Sequence, residues 1–210
     1  MERIIIIGGG SLAQELITWM IDSKIFVDLE KRLFYIDDYL KDDIFLQNFK
    51  ISYLGKIKDL KIEKNDKFYL GISEPKLKSK IVTLLEKKEI NFCKFIHPSA
   101  IIANSAKIGK GTLIFPYSIC SCNTSIGEFV TVNLHSAIGH DASIKSFSTI
   151  SAFVDITGKV EIGEKVFIGS GARFIPSIKI GDFCKIGAGS TVYHSVPEGK
   201  TIYCNPAKTL

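Results

Sequence analysis

The sequence predicts a chain of two architectures: an α/β unit over residues 1–95 and an all-β parallel β-helix over residues 96–210. Three observations carry this. An apolar residue recurs at every sixth position from Ile102, Ile108, Ile114 and Cys120 onward to Ile186 and Val192, sixteen times without a slip. A small or β-branched residue stands two places before these positions, from Ala106 to Ser190, with Ile178 the one larger side chain. A period of six is neither the 2 of a strand nor the 3.6 of a helix; it marks hexapeptides stacked into a solenoid. The first ninety-five residues lack this period and instead alternate short apolar runs with helical stretches.

Taken in order, Ile4 to Ile7 reads as a buried strand. It runs into Gly8-Gly9-Gly10-Ser11-Leu12-Ala13 and a helix to about Met20. The spacing G-x-G-x-x-A between a strand and a helix suits a phosphate-binding turn. There, glycines let the backbone approach a phosphate and the helix N-terminus supplies N–H donors. Leu33 to Ile36 is a second strand, ending at Asp37-Asp38, where a carboxylate can accept hydrogen bonds from a ribose or a base edge. Phe68 to Ile72 is a third, followed by Ser73-Glu74-Pro75 and a Lys-rich helix to about Lys88. Ile90 to Phe95 is a short fourth strand leading to His97-Pro98. This β-α-β-α-β order is half of a dinucleotide fold, Rossmann-like in type, and predicts a site for a mononucleotide rather than for NAD. The glycine turn by itself fits a nucleotide site and a plain tight βα turn equally well.

In the second part, three hexads make one triangular coil, so residues eighteen apart should stack, giving about five coils at roughly the 4.8 Å spacing of paired strands. Large and small inward residues alternate so as to fill a narrow prism. Gly follows the apolar residue at Gly109, Gly127, Gly139, Gly163, Gly169, Gly181 and Gly187, where it is expected to permit tight corners.

Composition bounds the rest. Of 210 residues 46% are hydrophobic, enough for a core, and the net charge is +5. The lysines cluster between Lys56 and Lys94, interleaved with Glu and Asp, and read as a solvated helix face rather than a nucleic-acid surface. No apolar run approaches a membrane span, and Met1-Glu2-Arg3 before Ile4 does not make a signal peptide. Five scattered cysteines, two of them (Cys120 and Cys184) in inward phases, suggest a reducing, cytoplasmic setting.

Three histidines fall in the solenoid: His135, His140 and His194. His140 lies two residues past an inward position, which points it outward, and Asp141 beside it can orient it and raise its basicity. Two other chemistries can be weighed. His135 and His140 are five apart, as are two zinc ligands of the γ-class carbonic anhydrases. The third ligand of that site would fall at Ser99, with His97 out of register, so no metal is expected. Cys122, eighteen before His140, should stack beneath it and makes a Cys–His acyl-enzyme imaginable, although acyl transfer from a thioester needs no covalent intermediate.

The glycine-turn α/β unit, the His97-Pro98-Ser99-Ala100 entry, the unbroken hexads with His140-Asp141, and Asn205-Pro206-Ala207-Lys208 near the end together resemble the NeuD/PglD-type bacterial sugar acetyltransferases over essentially the whole chain. The resemblance implies a left-handed β-helix and a homotrimer, with acetyl-CoA as co-substrate lying in the groove between subunits. It implies His140 as general base with Asp141 supporting it, and Asn133 close to the acceptor. It implies Thr149, Ser170 and Ala188 along acetyl-CoA. It places Gly9, Gly10, Ser11 and Leu12 at the nucleotide-sugar turn, Asp37 and Asp38 at the base, and Lys76 at the substrate. The sequence departs from the family at three places. Leu12 stands where some relatives carry His, Ser73 to Lys78 replaces a Gly-rich turn followed by Arg, and Cys204 replaces the Gly before Asn-Pro-Ala-Lys. The implied reaction is N-acetylation of a nucleotide-linked amino sugar, a 4-amino-4,6-dideoxyhexose on UDP or dTDP, for a surface glycan. O-acetylation of sialic acid or another sugar, and a non-catalytic nucleotide-sugar-binding protein, are the alternatives.

Overall fold

A computed structural model describes residues 2–39, 51–86, 88 and 90–204. Strands β1 (Ile4–Ile7), β2 (Leu33–Ile36), β3 (Ser52–Tyr53) and β4 (Lys67–Leu70) form a parallel sheet in the order β3-β2-β1-β4. Helix α1 (Ser11–Asp22) covers one side, and helix α3 (Pro75–Glu86) covers the other; α2 (Leu29–Arg32) is one short turn between α1 and β2. The strand alternation sorts the core. Ile4 and Ile6 pack with Leu16, Ile17 and Met20 of α1, whereas Ile5 and Ile7 pack with Ile81, Val82 and Leu85 of α3.

Strands β1 and β2 match the sequence reading, and β4 ends two residues earlier than expected. β3 has no counterpart in that reading. The expected fourth strand divides in two. Phe92 makes an isolated bridge to Phe68 of β4, while Phe95–Ile96 (β5) leaves the sheet and pairs with Leu113–Ile114 as the first rung of the solenoid.

The solenoid has three faces of two-residue parallel strands. The first runs from Phe95–Ile96 through Thr131–Val132 to Thr201–Ile202, the second from Ile101–Ile102 to Thr191–Val192, and the third from Lys107–Ile108 to Lys179–Ile180. Residues eighteen apart are partners, as in Ile126 with Ile144 and Ile138 with Ile156. Inward hydroxyls at Thr112, Ser118, Ser136 and Ser148 donate to turn carbonyls fifteen residues on, whereas Thr124 donates back to Ser121 O. Ser118 donates to Asn133 O at 2.9 Å, Ser136 to Ser151 O at 2.8 Å and Ser148 to Gly163 O at 2.8 Å. At the end the coil shortens, because Ile186 pairs with Ile202 and Ile180 bridges Val196, sixteen residues apart instead of eighteen.

The expected role of the corner glycines is corrected by the backbone. The left-handed position comes three residues after the apolar one and is held by Tyr117, Asn123, Phe129, His135, Asp141 and their successors. Gly139 has no positive φ. A Cβ there would stand 2.6 Å from Thr157 C and 2.7 Å from Gly158 N, so glycine is required by the closeness of the next coil.

The α/β unit packs on the first face. The outward residues Phe95, Leu113, Thr131 and Thr149 are buried there, while their counterparts Ile119, Asp155 and Glu161 on the other faces are exposed. Lys78 of α3 is buried in this seam, and its Nζ donates to Thr131 Oγ1 at 2.8 Å and to the carbonyls of Phe129 and Ser148 at 3.3 Å. The Lys-rich helix is therefore not a solvated face at this residue. Burial pulls the Lys78 ammonium down to about 7, opposed by the Glu74 charge.

Candidate active site

Gly8, Gly10, Ser11, Leu12, Asp37 and Asp38 line a cavity of about 750 Å³ at the C-terminal ends of β1, β2 and β4, the usual place and size for a ligand pocket in an open α/β sheet. Gly10 caps α1 in extended backbone, no side chain caps the helix, and no acid occupies its first turn. Among the described residues no side chain is seen to cap the first N–H groups of α1 beside the cavity, the arrangement that receives a phosphate. Gly9 is not in the wall; its N–H donates to Asp37 Oδ2 at 2.8 Å. Asp37 Oδ1 accepts the Tyr39 N–H at 2.7 Å, so this carboxylate shapes the turn as well as facing the cavity. Asp38 Oδ1 accepts the Ile57 N–H at 3.0 Å.

The opposite wall is α3, through Leu77, Lys80, Ile81 and Leu84, which the sequence reading missed. Their 3–4 spacing is the available signal. Lys80 is the cation among the lining residues; Lys76 lies outside the cavity, with Nζ 5.9 Å from the centre of the Phe183 ring.

His140 and Asp141 sit on the solenoid edge between the second and third faces, opposite the face that carries the α/β unit. His140 Nδ1 is 2.7 Å from Asp141 Oδ2, with side chains 57% and 42% exposed. A carboxylate only accepts, so Nδ1 carries the proton, and in the neutral ring Nε2 is the nitrogen left to accept one. Asn123, one coil below Asp141, donates from Nδ2 to Asp141 Oδ1 at 3.0 Å. The His140 bond, then the Asn123 bond, hold the Asp141 carboxyl below its ordinary range. The sequence reading missed Asn123 too, although the eighteen-residue stacking rule applied to Asp141 points straight to it. Cys122 shares the column of His140, but its Sγ lies 4.0 Å from Ser121 Oγ, and the side-chain hydrogen bond between these coils here is Asn123–Asp141.

The other predicted residues lie elsewhere. Asn133 donates to Glu15 Oε2 of α1 at 3.1 Å, and Thr149 Oγ1 donates to Ser73 O at 2.6 Å, so both side chains tie the α/β unit to the solenoid. Ser170 and Ala188 stack, exposed, on the edge between the first and second faces. Beside them Gly171 and Gly189 carry no side chain, and a Cβ on Gly171 would have nothing nearer than Gly189 at 3.9 Å, so the backbone of this edge is bare there. His135 is on this same edge, stacked between Tyr117 and Phe153 at 5.0 Å from each, and so is not on the His140 edge. Among the described residues no group of three or more His, Cys, Asp or Glu is placed to hold a metal, and no helix is long and apolar enough to cross a membrane. Asn205 to Lys208 lie outside the described residues.

Residues 159–194 match the family model described as bacterial transferase hexapeptide (six repeats). Over 148 residues the chain is 30% identical to a GDP-perosamine N-acetyltransferase of Escherichia coli O157:H7, covering 68% of this chain and 67% of that protein. The fold is shared with PerB from Caulobacter crescentus, solved with CoA and GDP-perosamine, at TM-score 0.85, 23% identity and 98% and 96% coverage of the two chains. It is shared as well with the acetyltransferase domain of PglB from Neisseria gonorrhoeae, solved with acetyl coenzyme A, at TM-score 0.86, 21% identity and 99% and 98% coverage. With a relative this similar over two thirds of both sequences, and the hexad solenoid beneath it, the chain belongs to the hexapeptide-repeat sugar N-acetyltransferases.

Proposed function

We propose that this enzyme transfers the acetyl group of acetyl-CoA to the amine of a nucleotide-linked 4-amino-4,6-dideoxyhexose, in the cytoplasm, for a surface glycan. The observation that carries the reading is the His140–Asp141 pair on an open edge of a hexapeptide solenoid. His140 Nε2 takes a proton from the sugar amine as its nitrogen attacks the thioester carbonyl. A backbone N–H of the solenoid wall stabilises the oxyanion. The C–S bond then breaks, and the proton held by His140 passes to the departing thiolate. Asp141 holds the imidazole in the tautomer that can do this.

In this reading residues 1–95 form a Rossmann-like nucleotide unit, with Gly9, Gly10, Ser11 and Leu12 at the phosphates and sugar and Asp37 and Asp38 at the base. Residues 96–210 form a left-handed β-helix, with Ser170 and Ala188 along acetyl-CoA on the bare edge. One protomer holds its cavity and its own His140 on opposite sides of the prism. A homotrimer supplies the missing proximity by setting the His140 edge of one protomer against the nucleotide unit of its neighbour. Exposed apolar residues on and beside the second face support such packing: Ile101, Tyr117 and Phe153 are 63%, 61% and 60% exposed.

UDP or dTDP is the nucleotide expected from the sequence. GDP is the second reading, favoured by the GDP-perosamine substrate of the 30% identical relative. The test is thiol release from acetyl-CoA with UDP-, dTDP- and GDP-linked 4-amino sugars, their 3-amino isomers and sialic acid. Wild type should turn over one amino sugar, and His140→Ala should lose about 10² to 10⁴ in rate. Turnover of sialic acid alone, or a loss below tenfold in the variant, overturns the reading.

A further inference from the structure

One glycine of the solenoid is explained neither by backbone conformation nor by the approach of another coil. Gly158 lies one coil above His140, in the column Cys122, His140, Gly158, Pro176. It has no positive φ. At Gly139 or Gly163 an added Cβ would run into backbone atoms of the next coil. At Gly158 the nearest atoms are all in the His140 ring. A Cβ would stand 2.7 Å from Cε1 and 2.9 Å from Cδ2, and nearer still to Nε2. Every one of these separations is well inside van der Waals contact.

The imidazole is therefore held at two places. Asp141 fixes Nδ1 by its 2.7 Å bond, and the bare Cα of Gly158 receives the ring from above. We propose that Gly158 is a positioning residue for His140: its missing side chain is the slot that lets the ring lie along the edge with Nδ1 on Asp141 and Nε2 presented to the acceptor amine. The inference rests on the reading of His140 as the base. Any Cβ at 158 turns the ring out of this slot. Because the His140 side chain is 57% exposed, the displaced ring has solvent to enter, and the coils above and below need not move. The variant thus separates catalysis from folding.

The experiment compares wild type, Gly158→Ala, His140→Ala and the double variant. It reads kcat, both KM values, the thermal midpoint, and the downfield proton resonance of the imidazole Nδ1–H held by a carboxylate. Gly158→Ala should lower kcat about 10- to 100-fold, the scale of an ångström-sized misplacement. Both KM values and the thermal midpoint should stay close to wild type, and the Nδ1–H resonance should weaken. In the His140→Ala background the same change should do nothing further to the residual rate. Full kcat in Gly158→Ala beside a dead His140→Ala overturns this inference and leaves the base intact. A parallel fall in stability and rate that persists without His140 also overturns it, by showing a purely structural glycine. Wild-type activity in His140→Ala instead removes the reading beneath it.

Discussion

Two edges of the solenoid repeat the same backbone and carry opposite chemistry. Between the first and second faces the left-handed position is filled by Tyr117, His135 and Phe153, whose rings stack at 5.0 Å. Between the second and third faces the same position is filled by Asn123, Asp141 and Lys159, and a carboxylate there is gripped from below and beside. The hexad decides that one residue in six must turn with positive φ, a cost that Asn and Asp bear best among side chains larger than glycine. What occupies that turn is free of the core, and the edges differ there. One stacks rings in a column and the other orients an imidazole. A histidine at 135 and a histidine at 140 thus stand in different settings, because the first is a ring in a stack and the second lies beside an acid.

The comparison can be broken first at its polar edge. Asp141→Asn retains the shape but offers Nδ1 an amide, which removes the charge that favours the protonated Nδ1; kcat should fall about 10- to 100-fold, as for the loss of a partner that orients a catalytic imidazole. Steady-state kinetics with fixed acetyl-CoA reads this, and an unchanged kcat would mean the pair is ornamental. The seam between the α/β unit and the solenoid comes next. Lys78→Met should raise KM for the nucleotide sugar several-fold while KM for acetyl-CoA stays put, since α3 lines the cavity and Lys78 anchors it.

The same variant tests the sign of a titration. The folded pKa of Lys78 lies below its unfolded value, so between about pH 7 and the ordinary lysine range the unfolded chain holds the extra proton. Wild-type stability relative to Lys78→Met should rise as pH climbs from 7 to 10, read by denaturant melts at each pH, and a flat or falling difference would contradict the burial of a depressed lysine. On the aromatic edge, Phe153→Ala should weaken assembly or stability by about 1 kcal/mol and leave kcat of the assembled enzyme alone. Sedimentation and kinetics together separate the two. Smallest is Asn123→Ala, expected to cost about tenfold in kcat or less, the scale of one hydrogen bond to a charged group.

The repeat is legible in the sequence because its physics is local. An inward residue every six, and a partner every eighteen, locate each rung from the order of residues alone, and they put His140 outward beside Asp141. The same rule reaches Asn123 when it is applied from Asp141 downward. It cannot reach Gly158 as a contact, because which way an exposed imidazole leans is a rotamer choice and not a period. In the α/β unit, β1 and β2 are readable as apolar runs, but Ser52–Tyr53 is two residues with no run at all and joins the sheet through its pairing with β2. Lys78 escapes the sequence for a related cause. A lysine on an amphipathic helix is normally solvated, and here the solenoid closes over it and supplies Thr131 and two carbonyls.

The shortened last coil has a consequence for the molecule as a material. A stack of identical coils ends in a ring of unpaired strand edges, which is an invitation for another chain to continue it. Here the rungs at Val196 and Ile202 arrive two residues early, the loss falling in the turn after Val192, yet both stack in parallel on Ile180 and Ile186. The shorter turn therefore reshapes one corner and leaves the stacking of the rungs, and with it the line of the rod, unbroken.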